Sequence, residues 1–470
     1  MNKETAIQDK IEQLLVKRFY ENEQAINNGD PEFVAAIRRN AIKAFEKAGI
    51  PAHPMEDWRK TEIRPAMDAD YKHDLQRNRE KINIEEIFQC QVHNFETFLV
   101  SQLNGWYAYK DQPIREHENG VVVGSLREAF QQYPRLVKKH YGKYAKLDRH
   151  GMIPLNTAFA QDGVFIYVPD NVEVDLPIQM VNLTRSDDNI LVFPRNMVVM
   201  GKNSKLTMVH CDDSIEQEKS FTNAVSEVFL DEHAHLDYYK VQNKDDEAAL
   251  INAAFFYQST GSVLSSNTIS LNGGILRNET DVTLGGEQCH SDIIGLYLMD
   301  RKQHVDNRVF VDHASPNCYS NELFKGIIDD EASAVFNGHI LVRKDSQETT
   351  AFQSNRNIQL TDTARIFTQP FLEIYADNVK CSHGATIGQL DPEAMFYLRS
   401  RGICKRNARM LMMYAFAGEV VKQIRIDALK ERIDDMVVKR LKGELSICDQ
   451  CVLHCKDERK VSFEIDIDKL

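Results

Sequence analysis

Apolar residues near the start of the chain recur with the period of an α-helix. Ile7, Ile11, Leu14, Leu15 and Phe19 share one face. Asp30-Pro31 then starts a second helix, which carries Phe33, Ile37, Ala41 and Phe45 on one side until Gly49-Ile50-Pro51 stops it. Residues 52 to 115 contain Pro54, Pro65 and a charged run from Asp68 to Glu80, and read as helix and loop. The pattern predicts an N-terminal helical region over 1–115 and a connecting segment over 116–151.

From Met152 to Leu390 the period falls to two. Thr280, Val282 and Leu284 alternate with Glu279, Asp281 and Thr283, and Leu372, Ile374 and Ala376 alternate with Glu373 and Tyr375. Turn signals at Asn203-Ser204, Asp231-Glu232, Gly273-Gly274, Gly285-Gly286, Asp329-Asp330 and Thr361-Asp362 punctuate these segments unevenly. A long, mainly β domain over 152–390 is predicted, with sandwich and solenoid both open. Helical spacing returns after Asp391-Pro392-Glu393, which reads as N-cap, first-turn proline and N-terminal carboxylate. Ala408, Leu411, Met412, Ala415, Phe416 and Val420 form an apolar stripe that Ile426, Leu429, Ile433, Met436, Val437 and Leu441 continue. This C-terminal helical region spans 391–443, and a tail with three cysteines covers 444–470.

A net charge of −13 opposes a dominant nucleic-acid or anionic-membrane role, because such binding runs on cationic patches. No apolar run approaches the ~20 residues of a membrane span, and the first residues open an amphipathic helix rather than a signal peptide. A cytoplasmic protein with protein partners is expected. Nine cysteines in 470 residues do not make a disulfide framework. No Gly-x4-Gly-Lys-Ser/Thr, Gly-x-Gly-x-x-Gly or His-Glu-x-x-His string is present, which removes the common nucleotide and metallopeptidase readings.

Among candidate sites, the run from Cys381 to Asp391 is the most informative. If 379–383 is extended, Val379, Cys381 and His383 share a face, with thiol and imidazole bases roughly 7 Å apart. Such a pair at a strand-to-helix junction can share a soft or borderline metal, and Gly384 admits close approach by another backbone. His233 and His235 would share a face of one strand, a geometry open to chelation, but no third ligand is identifiable. His290 beside Cys289 is weaker, since adjacent strand residues point to opposite faces. Cys448, Cys451 and Cys455, with His454, can ligate zinc or supply three thiolates to an iron–sulfur cluster, against the plain alternative of free thiols.

The string Cys381-Ser382-His383-Gly384-Ala385-Thr386-Ile387-Gly388-Gln389-Leu390-Asp391, followed by 396–403, resembles the C-terminal signature of the SufB/SufD family of iron–sulfur cluster assembly scaffolds. Gly384 after the histidine, and Ala415-Phe416-Ala417-Gly418-Glu419-Val420, look like SufD rather than SufB. Trp58-Arg59-Lys60-Thr61, Leu155-Asn156-Thr157-Ala158-Phe159 with Asp162-Gly163, Val168-Pro169 and Gln303-His304-Val305-Asp306 match in the same order. The resemblance implies a right-handed parallel β-helix flanked by N- and C-terminal helices. It implies a non-catalytic subunit that pairs with a SufB-like chain, with His383 facing that partner near a nascent cluster or its iron and Cys381 beside it. The C-terminal helices, with Met412 and Phe416, are implied to dock a SufC-like ATPase. No cofactor is expected to be firmly bound; iron or a cluster is transient, a flavin is open at the level of the complex, and the isolated chain can pair with itself. The competing reading is a homo-oligomeric, metal-binding or carbohydrate-active β-solenoid enzyme using acidic residues such as Asp306 and Asp312.

Overall fold

One-sided alternation lets successive strands stack. In Ser333–Val342, Ala334, Phe336, Ile340 and Val342 are buried in the central core, while the intervening side chains face outward. The computed structural model describes residues 3–76, 96–109, 112–214 and 219–442. Within it, successive strands from Lys205 to Gly388 fall alternately in two parallel sheets, so each pair of strands forms one rung of a solenoid. Pairing is in register over whole strands: His290–Met299 on Tyr319–Ile328, and Thr349–Gln359 on Val379–Gly388. The result is a parallel β-solenoid flanked by helices at both ends of the chain.

One corner of this solenoid repeats a backbone device. Asn203, His233, Gly261, Gln288, Asn317 and Glu348 all have positive φ, and each is followed by a small residue and then a strand. At Gly261 a Cβ would meet the His233 ring 2.3 Å away, so glycine serves both the turn and the stacking.

The region expected to be helical up to residue 115 holds Lys3–Ile26 and Glu32–Ala48 as helices, but strands begin earlier than the pattern predicts. Phe98–Leu103 pairs in parallel with Ile178–Thr184, Trp106–Ala108 folds back on it, and Ile114–Glu116 pairs with Val122–Ser125. These short strands take their conformation from the sheet edges that they cover, a tertiary effect that local propensity does not carry. The connecting segment contributes Val122–Ser125 and the helices Leu126–Gln132 and Pro134–His140.

A buried clamp ties the N-terminal region to the outer face of the sheet that ends in Arg365–Ile374. The Arg277 guanidinium lies 3.6 Å from the Trp58 ring centroid, donates to Glu279 at 2.8 Å, and pairs with Asp306. Thr61 also donates to Asp306, and its hydroxyl lies 2.9 Å from His304. Burial opposes ionisation of Glu279, yet His150 and Arg277 hold it well below the usual carboxylate range. A second clamp joins Asn156 and Thr157, through Arg195, to Glu227, whose carboxylate accepts from the Gly142, Tyr144 and Ala145 amides. The helices Lys405–Val421 and Asp427–Lys442 cover the outer face of the sheet that ends in Val379–Gly388, through Met413, Ala417, Val420, Leu429, Ile433 and Val437.

Removing one member of a desolvated charge cluster leaves the others unpaired. Arg277→Ala is expected to lower unfolding stability by ~3–5 kcal/mol, read as a shift in denaturant midpoint by circular dichroism; a change within ~0.5 kcal/mol would mean that the clamp is solvated.

Candidate functional site

The solenoid ends differently at its two ends. The first rungs are covered by the N-terminal strands, whereas Arg365–Ile374 and Val379–Gly388 are each the last strand of their sheet. Their outer backbone edges have no strand partner among the described residues. Side chains normally buried in a core are exposed beside them: Phe367, Phe371, Ile374, Tyr375 and Ile387, with Phe396 and Tyr397 on the next helix. Unpaired strand edges with apolar flanks are a template for another chain.

Cys381 and His383 lie inside this last strand. Extended structure runs on to Gly388, and the next helix starts at Pro392 with Asp391 accepting from the Glu393 amide at 2.9 Å. The junction reading is therefore corrected: both residues sit mid-strand, because in-register pairing with Thr349–Gln359 extends the β ladder beyond the local sequence signal. Their shared face is borne out in part. Cys381 stacks on Ala351 and packs partly against the core, where burial pushes its thiol up, while His383, two residues on, is exposed. A Cβ at Gly384 would meet nothing within 4 Å, which leaves the backbone open to approach.

Beneath His383 runs a polar column. His383 is the lateral partner of Gln353, Gln353 of Glu322, and Glu322 of Ile293. Gln353 donates to Glu322 at 2.7 Å, and Glu322 Oε1 and Gln353 Oε1 are buried without a hydrogen-bond partner. Burial pushes the Glu322 carboxyl up to about 8, against the opposing hydrogen bond from Gln353. Room for Gln353 comes from Gly338, where a Cβ would lie 2.2 Å from its amide nitrogen. Sequence reasoning missed Glu322 and Gln353. The signal was an acidic residue at an inward position of a strand, but Leu323 and Phe324 are both apolar and leave the phase ambiguous.

The other candidates separate. His233 has φ 58° and lies in a corner rather than on the strand that starts at His235, so the two imidazoles share no strand face. His235 lies instead 3.3 Å from the Arg425 guanidinium. His290 stacks on Tyr319 at 4.5 Å while Cys289 is buried at the corner. Among the described residues no three His, Cys, Asp or Glu side chains are grouped to hold a metal ion. Asp306 belongs to the Trp58 clamp and Asp312 forms a two-point pair with Arg343 at 2.8 and 2.6 Å. Six residues along one strand separate them by ~20 Å, too far for a glycosidase pair, whose carboxyls stand ~5–10 Å apart. Cys448, Cys451 and Cys455 lie outside the described residues.

On the helix Lys405–Val421 the inward face is Ala408, Met413, Ala417, Val420 and Val421, rotated from the stripe read in the sequence. Met412 stays half-buried and Ala415 exposed. Phe416 packs partly on the core, with Lys325 Nζ 4.3 Å from its ring centroid. Packing on the sheet beneath, through Met413, Ala417 and Val420, rather than helical period alone, sets that rotation. No helix among the described residues is long and apolar enough to cross a membrane.

A two-sheet parallel solenoid with an uncovered last rung and an exposed histidine on it defines the class of architecture. The profile of the SUF system FeS cluster assembly SufBD core domain matches residues 182–416, and that of the SufBD N-terminal region matches 9–180. The chain belongs to the SufBD family of iron–sulfur cluster assembly proteins. It is 29% identical over 426 residues to a SufBD family protein of Synechocystis, covering 88% of this chain and 93% of that protein. It is 30% identical over 292 residues to the iron–sulfur cluster assembly protein SufD of Escherichia coli, covering 62% and 69%. The SufD of Bacillus subtilis is 27% identical over 328 residues, covering 69% and 75%.

The raised Glu322 carboxyl has a thermodynamic signature. The unfolded chain releases this proton near the ordinary value of 4.5 and the folded chain only near 8, so ionisation favours unfolding. Stability should decline between those pH values by up to ~1.4 kcal/mol per unit. Glu322→Gln should remove that slope, matching the parent at pH 4.5 and exceeding it at pH 8, as read from urea midpoints across pH. Parallel pH profiles would place Glu322 in contact with solvent.

Proposed function

We propose that this chain is a SufD-like, non-catalytic scaffold subunit of a cytoplasmic iron–sulfur cluster assembly complex. Its last rung pairs edge to edge with the solenoid of a SufB-like subunit, and its C-terminal helices contact a SufC-like ATPase. The observation that carries this reading is the uncovered terminal strand, with exposed His383 flanked by exposed apolar side chains. Adding a strand across this edge would satisfy its backbone groups and bury Ile387 and Phe371 together. Lacking that partner, the same edge would accept a second copy of the chain.

His383 is half of a site. An imidazole can ligate iron through a ring nitrogen, but the described residues offer no grouped donor set around it. The remaining ligands would come from the facing subunit, so iron or a nascent cluster is cargo of the complex. The likeness to the SufD relatives supports the assignment, and Gly384 leaves the backbone open where the partner would approach. In this reading ATP hydrolysis belongs to another chain, which the lack of a phosphate-cradling Gly-Lys string supports.

His383→Ala should leave folding and complex recovery intact while abolishing growth rescue of a Suf-dependent strain under iron limitation, with less iron in the recovered complex. Full rescue would reduce His383 to a bystander. The purified chain should hydrolyse no ATP alone. A SufC-like ATPase should bind it and be stimulated, and Met412→Asp should weaken that stimulation with an unchanged circular dichroism spectrum. Robust hydrolysis by the chain itself, free of contaminating ATPase, would overturn the assignment.

A further inference from the structure

The repeated corner of the solenoid stacks one position from rung to rung: Ser204, Ala234, Ser262, Cys289, Cys318 and Thr349. The carbonyl of each of the first five accepts from the amide just after the next, as when the Tyr319 amide donates to Cys289 O at 2.9 Å. The geometry demands a small side chain there, and the hydroxyls share one hydrogen bond. Ser204 donates to Gly201 O at 2.7 Å, Ser262 to Ser259 O at 2.6 Å and Thr349 to Ser346 O at 2.8 Å, each three residues back. Cys289 keeps the rule, with Sγ 3.1 Å from Gly286 O, and lies equally close to Ser259 O on the rung below.

Cys318 breaks it. Its Sγ keeps the cross-rung contact, 3.3 Å from Gly286 O, the oxygen that Cys289 already uses, but on its own corner lies 3.4 Å from Pro316 O instead of the carbonyl three residues back. Two sulfurs on one oxygen can be no farther apart than those two distances together. Their chains are adjacent rungs, ~4.8 Å apart, within the Cα separation that a disulfide tolerates. Both thiols are free and buried, yet each directly follows an exposed, positive-φ corner residue, Gln288 and Asn317.

We propose that Cys289 and Cys318 form a redox-active dithiol, oxidised by hydroperoxides to an inter-rung disulfide. Cys289 is the attacking sulfur, since the hydrogen bond from Cys318 brings it down to about 7, whereas its partner is pushed up. The Cys289 thiolate attacks one peroxide oxygen: an S–O bond forms, the O–O bond breaks, and an alcohol, or water from hydrogen peroxide, leaves. Cys318 then attacks the Cys289 sulfur, the S–S bond forms, and the departing hydroxide takes the Cys318 proton as water. The two thiols lose two electrons together and one hydroperoxide gains them. The cross-link ties the strand starting at His290 to the one starting at Tyr319, close below the open end of the solenoid.

The test uses the reduced, full-length protein, treated with hydrogen peroxide, alkylated under denaturing conditions and digested with trypsin. Mass spectrometry should find the Cys289 and Cys318 peptides losing alkylation together and joining in one species lighter by a pair of hydrogen atoms, restored by dithiothreitol. Cys318→Thr rebuilds the corner as Thr349 has it, so folding is preserved. There the cross-link should vanish and dimedone should trap sulfenic acid on Cys289. Retained alkylation at both cysteines, or a Cys289 cross-link to any other cysteine, would overturn the proposal.

Discussion

Everything in this molecule follows from in-register stacking of parallel strands. A strand in a solenoid satisfies its backbone groups only through the rung on either side, so each rung dictates conformation, phase and corner geometry to the next. The corner shows how strict this is. Histidine, glutamine, glutamate and asparagine all adopt positive φ there because the stacking around them over-determines the turn.

Stacking also creates the functional asymmetry. One end is closed by short strands and helices from the N-terminal region, which is fastened along one sheet by two clusters, Trp58 with Arg277 and Asp306, and Asn156 with Arg195 and Glu227. At the other end Lys60 lies over the Phe367 ring, but the outer strand edges have no strand partner among the described residues. The strands that remain there carry exposed aromatic and aliphatic side chains, a costly arrangement for a lone chain and a suitable one for a subunit. The quoted family strings divide accordingly. Those near residues 58, 156 and 304 hold the fold together, while the one around His383 occupies the open rung.

Polar residues inside the solenoid follow a related logic. Where neighbouring rungs place Gln353 above Glu322, each can answer the other, and burial then keeps the carboxyl protonated far above its ordinary range. At the corner, the same register that aligns hydroxyls on successive carbonyls brings two thiols to one oxygen.

The alternation at 280–284 and 372–376 sufficed to place a long β domain, and helical spacing placed the flanking helices, because each period reports the type of element, even where, as at Glu279, Ile374 and Ala415, it does not report burial. Cys381 and His383 could also be singled out from local order alone. What the chain could not disclose was anything fixed by partners distant in sequence: strands at 98–116, the mid-strand position of His383, the separation of His233 from His235, and the Glu322 and Cys289–Cys318 pairings. Those depend on residues about one rung apart being superimposed, and a single residue of register would exchange inside for outside. Only the stacked tertiary structure decides that register.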